Sequence, residues 1–587
     1  MLVLAGGDVL EKNDIRLVII CSFVCFMIFW SKRKGKLSRK ETVHMGIYLN
    51  SVSPYTLYKS EVCSPYFVDK SQMLRELIPL AEVGNRHVCV TRPRRFGKTV
   101  MANMIGAFFG KDVASKDVFE TLKISEFADY RRHLNQYNTI YIDFSVVDDE
   151  CISYKEYIDE IKGNLKEDLK RGYPDIDFRE NGSAREDLQR IFAEKKERFV
   201  FVFDEWDSVF HMPFVTEDDK KSYLLFLKGL LKDKPYVALA YMTGILPIAK
   251  YSSGSELNMF MEYTMASESK FGNVFGFSDK EVDMLYERYC ENNARKEETL
   301  NVTREGLREW YDGYFTKNGE RMYNPRSVVA ALENNNLGSY WTSSGPYDEI
   351  FYYVENNIAD VRKDIALMIS GEGVKAKIQE YAATSMNLLT REEILSAMVV
   401  YGFLSYYNGK VYIPNKELMD KFDEMVQKEA SLGYVYRLAK ESERMLEATL
   451  HGDTETMENI LAYVHNTETP ILSYNNETEL SVVVNLVYLA ARDRYRVERE
   501  DKSGKGFVDF IFYPEDRSDT CIILELKVDH TPEEAIEQIR DKDYMLRFMG
   551  KLGELPKYTG EILGVGISYS KIDKIHRCKT EILRNRI

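Results

Sequence analysis

The sequence has no Cys-x-x-Cys pair. Its cysteines, at positions 21, 25, 63, 89, 151, 290, 521 and 578, are scattered, which argues against a zinc site and a disulfide framework and for a reducing compartment. It also lacks a surplus of positive charge. With 79 Lys and Arg against 93 Asp and Glu, the formal net charge is −14, so the whole molecule is not a constitutive polyanion binder, and any contact with DNA or RNA must come from a local basic surface. The tail Lys571–Ile587, with six basic residues against two acids, is one such stretch; it reads equally well as a solvated terminal helix. Repeats and low-complexity tracts are absent. So is an apolar run of spanning length: Leu17–Trp30 (LVIICSFVCFMIFW) counts 14 residues, short of the roughly 20 that a membrane helix needs. Three readings stay open for residues 1–44: a short anchor, an extension upstream of a start at Met45, or, least expected, a cleaved signal without an evident small-residue site. If the run inserts, the six Lys and Arg between Ser31 and Lys40 hold the rest of the chain on the cytoplasmic side.

What is present is enough apolar material for several cores: 587 residues, 44% hydrophobic and 12% aromatic, or about three to five units. From 45 to 280, short apolar strands alternate with amphipathic helices. Arg86–Thr91, Thr139–Ser145, Phe199–Phe203 and Tyr236–Thr243 read as buried strands, and Lys98–Phe109 as a helix. Continuous apolar strands separated by helices predict a parallel α/β sheet covered on both faces. From 281 to 468 the pattern is mostly helical. From 469 to 587 it becomes a small α/β unit, with helix Glu477–Arg492, strands Phe507–Tyr513 and Thr520–Val528, helix Pro532–Phe548 and strand Glu561–Ser568.

Thr91-Arg-Pro-Arg-Arg-Phe-Gly-Lys-Thr99 follows a strand and opens a helix, the setting in which backbone N–H groups cradle phosphates, a lysine reaches the terminal phosphates and a hydroxyl binds Mg²⁺. Lys98 and Thr99 fit those roles, and Gly97 permits close backbone approach. The general P-loop pattern has glycine where this chain has Arg92; the loop must turn with Pro93 and arginines, among them Arg95, which either add phosphate contacts or obstruct them. Phe199-Val-Phe-Val-Phe-Asp204-Glu205 is an apolar strand ending in two acids, the form in which Asp204 holds the Mg²⁺ shell and Glu205 polarises the attacking water. Thr243, at the end of the next strand, is a candidate for the γ-phosphate or the water, or a plain strand-end threonine.

Near the C-terminus, Asp509 lies in a strand reached through a glycine turn, and Glu525 and Lys527 share one face of the next strand while Leu524, Leu526 and Val528 face the other way. A carboxylate and a lysine inside so apolar a run are costly unless they face a site or solvent. Two carboxylates there suit a hard cation, which polarises a phosphodiester and acidifies a bound water; Lys527 would orient that water or stabilise developing charge. Glu479 is a candidate third carboxylate, with Glu477 and Glu500 competing.

Residues 46–345 resemble the AAA-ATPase-like family of bacterial proteins that also carry a PD-(D/E)XK nuclease-like domain. The matching segments are Tyr66-Phe-Val-Asp-Lys70, Arg92–Thr99, Phe203-Asp-Glu205, Thr243-Gly-Ile-Leu246, Trp310–Tyr314 and Tyr323-Asn-Pro325. The Arg-Pro-Arg-Arg-Phe-Gly-Lys form is usual in that family. Its usual Trp after Tyr-Asn-Pro is Arg326 here, a change that weakens one packing position. Residues 470–570 resemble the accompanying nuclease domain, with Gln538 and Tyr544 in the helix after the hairpin and Gly564–Ser568 in the last strand; the stricter first motif has proline where Val508 stands. The resemblance implies ATP and Mg²⁺ as cofactors, a P-loop NTPase-type sheet (45–280), a helical middle region (281–468) and a restriction-endonuclease-like α/β domain (469–587). The expected function is nucleotide-controlled cleavage of DNA or RNA in the cytoplasm. The alternatives are a nucleotide-switched, defence-type interaction protein with an inactive nuclease fold, and an ATPase tethered to the membrane by Leu17–Trp30.

Overall fold

The computed structural model describes residues 46–587 apart from 112, 249–255, 266–269, 297–298, 342–360, 370–372, 379–387, 389, 429–433, 468–476, 504–505 and 549–556. Continuous apolar runs become interior strands. β1 (Arg86–Thr91), β2 (Asn138–Asp143), β3 (Phe199–Asp204), β4 (Val237–Gly244) and β5 (Met261–Tyr263) form a five-stranded sheet in the order β2-β3-β4-β1-β5, with every pair parallel. Alternate residues supply two cores. Val88, Val90, Val200, Val202, Leu239 and Tyr241 face helix Lys98–Phe109 and its neighbours. Cys89, Phe199, Phe201, Phe203, Ala240 and Met242 face the side of helices Tyr154–Gly172, Ala184–Lys195 and Glu217–Leu231. Both faces are thus covered, which is why the strands carry no polar alternation. β4 separates β1 from β3, so the loops leaving β1 and β3 at their carboxyl ends flank a crevice, the usual ligand position in such sheets.

The middle region is helical, as the sequence predicts, with short antiparallel pieces at Tyr314–Phe315 with Arg321–Met322, and at Val374–Lys375, Ser405–Tyr407 and Lys410–Tyr412.

The C-terminal sheet runs β6 (Tyr495–Ser503), β7 (Gly506–Pro514), β8 (Cys521–Val528), β9 (Ile562–Ser570) and β10 (Ile575–Arg584), in that spatial order. It is mixed: β8 and β9 are parallel and the other pairs antiparallel, with helix Pro532–Asp541 making the crossover. Ile511, Ile523 and Ile539 pack on one face; Phe510, Phe512, Ile522 and Leu524 pack on the other with residues of helix Glu477–Val487. Helices Tyr434–His451 and Thr454–Thr467 also belong to this packing: Thr449 bonds Tyr488 at 2.6 Å, and Glu458 accepts from the Cys578 backbone at 2.8 Å.

Three differences from the sequence reading have physical causes. The basic tail is an edge strand, not a helix: His576 and Cys578 alternate inward against β9. Two of its six basic residues are ion-paired, Lys571 with Asp529 at 2.8 Å and Lys579 with Glu533 at 3.5 Å, and Arg584 donates to the carbonyls of Tyr558 and Gly560. β6 is too charged to announce itself as a strand. The helix from Pro532 stops at Asp541, Asp543 turns with a positive φ of 56°, and a 3₁₀ segment follows over Tyr544–Phe548. Among the described residues no helix is long and apolar enough to cross a membrane; Leu17–Trp30 lies outside them.

Candidate functional site

The loop after β1 turns through Arg95 and Gly97, both at positive φ (66° and 85°). A Cβ on Gly97 would meet nothing within 4 Å, so the glycine is required by its backbone angle alone. Gly97 also begins helix Lys98–Phe109, and no side chain caps it, leaving first-turn N–H groups for a ligand. Lys98 is 4% exposed; its Nζ donates to the Pro93 carbonyl at 3.3 Å and lies 3.8 Å from Glu205 Oε1. Asp204 is fully buried. Its Oδ1 accepts from the Glu205 backbone at 3.1 Å, while Oδ2 has no partner. Burial, then the charges of Glu205 and Asp143, push its carboxyl up to about 7 against the opposing Thr99 hydrogen bond and Lys98. An interior carboxylate with one bare oxygen beside a hydroxyl and a lysine fits a divalent cation.

Arg92 stands where the general pattern has glycine, and it neither contacts nor blocks the phosphate position. Its guanidinium is 1% exposed and points under the loop, donating to the carbonyls of Thr91 (2.7 Å), Tyr263 (2.8 Å) and Phe271 (2.9 Å), over the Phe275 ring. Thr243 is open in the sequence between a contact to the γ-phosphate or the water and a plain strand-end threonine. Its hydroxyl is fully buried and donates to the Val90 carbonyl at 2.9 Å, so it ties β4 to β1 and is not among the residues lining the crevice.

That crevice is a cavity of about 320 Å³ lined by Arg95, Gly97, Lys98, Thr99 and Glu205. Tyr66, Phe67, Val68, Phe277 and Val329 add apolar surface to its lining. Sequence reasoning missed two residues here. Asp143 sits beside Asp204 in the parallel register; its strand-end position was the available signal. Arg326, read as a packing position, lines the cavity.

In the C-terminal sheet the ladder between β7 and β8 runs from Phe512–Ile522 to Phe510–Leu524. One step further the strands part, and Asp509 Oδ2 accepts from the Leu526 backbone N–H at 2.7 Å. This brings Asp509, Glu525 and Lys527 together. Glu525 is 3% exposed; Oε1 accepts from Lys527 Nζ at 3.3 Å and from Gln538 Nε2, while Oε2 has no partner. Burial and the neighbouring Asp509 charge raise its carboxyl, with Lys527 opposing. Lys527 Nζ also donates to the Leu526 carbonyl at 3.1 Å and lies 3.8 Å from Glu477. Gln538, itself bonded to Tyr544, therefore orients Glu525. Glu479 falls in the first turn of helix Glu477–Val487, but its side chain and that of Glu500 lie outside the described residues. Among the described residues no group of three or more His, Cys, Asp or Glu side chains is placed to hold a metal; Asp509 and Glu525 contribute two.

Residues 59–253 match the family model described as a predicted AAA-ATPase, and residues 476–561 the one described as the PD-(D/E)XK nuclease superfamily. No curated protein matches the chain. Among solved structures, the Walker-type ATPase of Pyrococcus abyssi is similar at 13% identity over 60% of this chain and 94% of that one, with a TM-score of 0.33. The ORC2 protein of Aeropyrum pernix, in its ADPNP–ADP complexes, is similar at 11% identity over 60% and 93%, with a TM-score of 0.30.

Proposed function

We propose that this chain, which joins an AAA-ATPase-like domain to a PD-(D/E)XK-superfamily domain, is an ATP-binding protein that cleaves DNA or RNA phosphodiesters under nucleotide control. Arg95, Gly97 and Lys98 hold the phosphates, Thr99 and Asp204 hold Mg²⁺, and Glu205 polarises the water that attacks the γ-phosphate. At the second site Asp509 and Glu525, with Glu479 as a third carboxylate, hold a divalent cation. When bound, that cation supplies Lewis acidity toward the scissile phosphate. Lys527 orients the attacking water and offsets the charge that develops, and Gln538 fixes the rotamer of Glu525. The observation that carries this reading is the bare, buried Oε2 of Glu525 beside Asp509 and Lys527, an arrangement that costs stability in a purely structural role. We draw the units at 45–280, 281 to about 433, and from Tyr434 onward, since helices Tyr434–His451 and Thr454–Thr467 pack on the C-terminal sheet. The reading places the protein in the cytoplasm, where ATP is available.

The test is incubation of the purified protein with single- and double-stranded DNA and RNA, with and without ATP and Mn²⁺. Cleavage is expected with Mn²⁺ or Mg²⁺ and is lost in Lys527→Ala and Asp509→Ala, each by at least about 10²-fold. A second reading is favoured by the convergence of only two carboxylates among the described residues: a nucleotide-switched interaction protein with an inactive nuclease fold. ATP binding without cleavage under any metal would select it.

A further inference from the structure

We infer that the turn between β9 and β10 is a duplex-binding wedge beside the metal site, with Ile572 at its tip entering the base stack of a double-stranded substrate. The inference rests on the nuclease reading above and adds to it the form of the nucleic acid. β8 and β9 are parallel, with Lys527 level with Ser568, and Asp509 lies near the start of antiparallel β7. The metal site and the β9–β10 turn therefore sit at the same end of the sheet. From Ser568 to Ile572 is four residues, at most about 13 Å at roughly 3.3 Å per residue, the length of about four base-pair steps of a duplex. Nucleic acid seated on Lys527 and running toward β9 thus passes over this turn. Arg577 belongs to the same row. It pairs with Ser568, which puts it on the Lys527 face of the sheet, two strand spacings or about 10 Å away.

A single exposed isoleucine is ordinary on a protein surface. This one stands on a turn tied to the strand of the site. Two residues past Lys527, Asp529 accepts from the Lys571 backbone N–H at 2.9 Å and pairs with its Nζ at 2.8 Å. Across the turn, the Lys574 N–H donates to the Ser570 carbonyl at 2.8 Å. Ser570 Oγ accepts from the Asp573 N–H and donates to the Asp573 carboxylate, both at 3.2 Å, so the one acid of the turn is engaged from within. Held in this way, the tip shows Ile572 at 89% exposure, more than any other large apolar side chain among the described residues, with Ile575 behind it at 48%. Turns favour Gly, Asn, Asp or Ser at such positions, and a β-branched side chain gains nothing there by packing. Lys574 and Arg577, both exposed, flank the tip and supply attraction to phosphates that is independent of sequence. That rim of cations favours a polyanion over an apolar protein surface. An apolar side chain on a fixed mount between cations has the form of a wedge that unstacks a base step and kinks the duplex.

The test uses DNA and RNA duplexes carrying 2-aminopurine, which brightens when unstacked, at successive positions around the cut. Binding is read with Ca²⁺ in place of Mn²⁺ and cleavage with Mn²⁺, for the full-length wild type, Ile572→Ala and Ile572→Phe. The wild type is expected to brighten the probe at one step about three to four base pairs from the cut, and the duplex that responds names the substrate. Ile572→Ala should lose the signal and cleave the duplex roughly tenfold more slowly, while cleaving a single strand within about twofold of the wild type. Ile572→Phe should keep the signal, since the larger ring still fills the step. Equal melting temperatures show that the variants are folded. No brightening at any position in a wild type that cleaves duplex, or brightening that persists in Ile572→Ala, overturns the inference and leaves the nuclease reading intact. So does cleavage of every duplex by Ile572→Ala at the wild-type rate, the result a tip serving a protein partner predicts. A wild type that neither binds nor cleaves any nucleic acid overturns the nuclease reading and this inference with it.

Discussion

Asp207 shows how one side chain can fix the site without touching a ligand. Its carboxylate is buried, and Oδ2 accepts from the backbone N–H groups of Ile245 and Leu246 at 3.0 and 2.7 Å. That contact clamps the turn after β4. A Cβ at Gly244 would fall 2.3 Å from Asp207 Oδ1 and 2.5 Å from the Trp206 ring, so the turn needs glycine for space. Burial first, and then the charge of Glu205, push the Asp207 carboxyl up to about 6 from 3.8. The sign follows from linkage. The folded state keeps this proton after the unfolded chain has lost its own, so the stability tied to it is complete below about 3.8 and is lost as pH rises through about 6. Asp207→Asn keeps an acceptor for both N–H groups and removes the charge. Thermal melts from pH 4 to 8 should show the variant gaining on the wild type between about pH 4 and 6, by on the order of 1–3 kcal/mol, and running parallel above. A constant difference across that range would assign the titration to another group.

At the scale of elements, the P-loop is held differently from the general pattern. Arg92 replaces a glycine and links the end of β1 to β5 and the Phe271 segment through three carbonyls. Arg92→Gly, which restores the common motif, should therefore harm the protein. It strands three buried acceptors and leaves a cavity, a loss of about 3 kcal/mol or more, read as a lower denaturant midpoint. ATP affinity should not improve; a stable Arg92→Gly protein binding ATP more tightly would refute this account. The motif's residues were legible in the sequence, but the direction of Arg92 was not, because its acceptors lie about 170–180 residues further along: Tyr263 ends a three-residue strand too short to register as a pattern, and Phe271 stands in the turn segment beyond it. β1 to β4 were legible because burial on both faces leaves uninterrupted apolar runs. β6 and β10, edge strands with charged residues, were not. Asp509, Glu525 and Lys527 were legible as a set because strand alternation and hairpin pairing are local. Thr243 stayed open between two roles because its rank at a strand end does not reveal that the hydroxyl turns back to Val90. Gln538 was ambiguous until its bond to Glu525 was seen.

Across the whole molecule, a chain of contacts runs from the P-loop to the C-terminal sheet. The Trp341 indole donates to the Arg94 carbonyl at 3.2 Å, the Trp341 backbone N–H donates to Glu417, and Glu417 also accepts from Ser327, next to Arg326. Glu417 opens helix Lys416–Lys428, and further along that helix Asp423 lies 3.9 Å from Arg492, which donates to the Ile369 carbonyl at 2.6 Å before the chain enters β6. Helix Lys416–Lys428 is thus a strut with one end on the nucleotide crevice and the other on the domain that carries Asp509 and Glu525. If nucleotide and metal sites communicate, each must alter the other by the same factor in binding, since coupling free energy is reciprocal. ATP should change Mn²⁺ affinity in the wild type, and Mn²⁺ should change ATP affinity equally, by roughly five- to a hundredfold. Glu417→Ala removes the shared acceptor of Trp341 and Ser327 without touching either site. It should cost about 1–3 kcal/mol in stability, leave each ligand's affinity measured alone nearly intact, and bring both coupling factors close to one. Coupling that persists undiminished in Glu417→Ala would show that the signal, if any, travels by another route, and the helix would be scaffolding only.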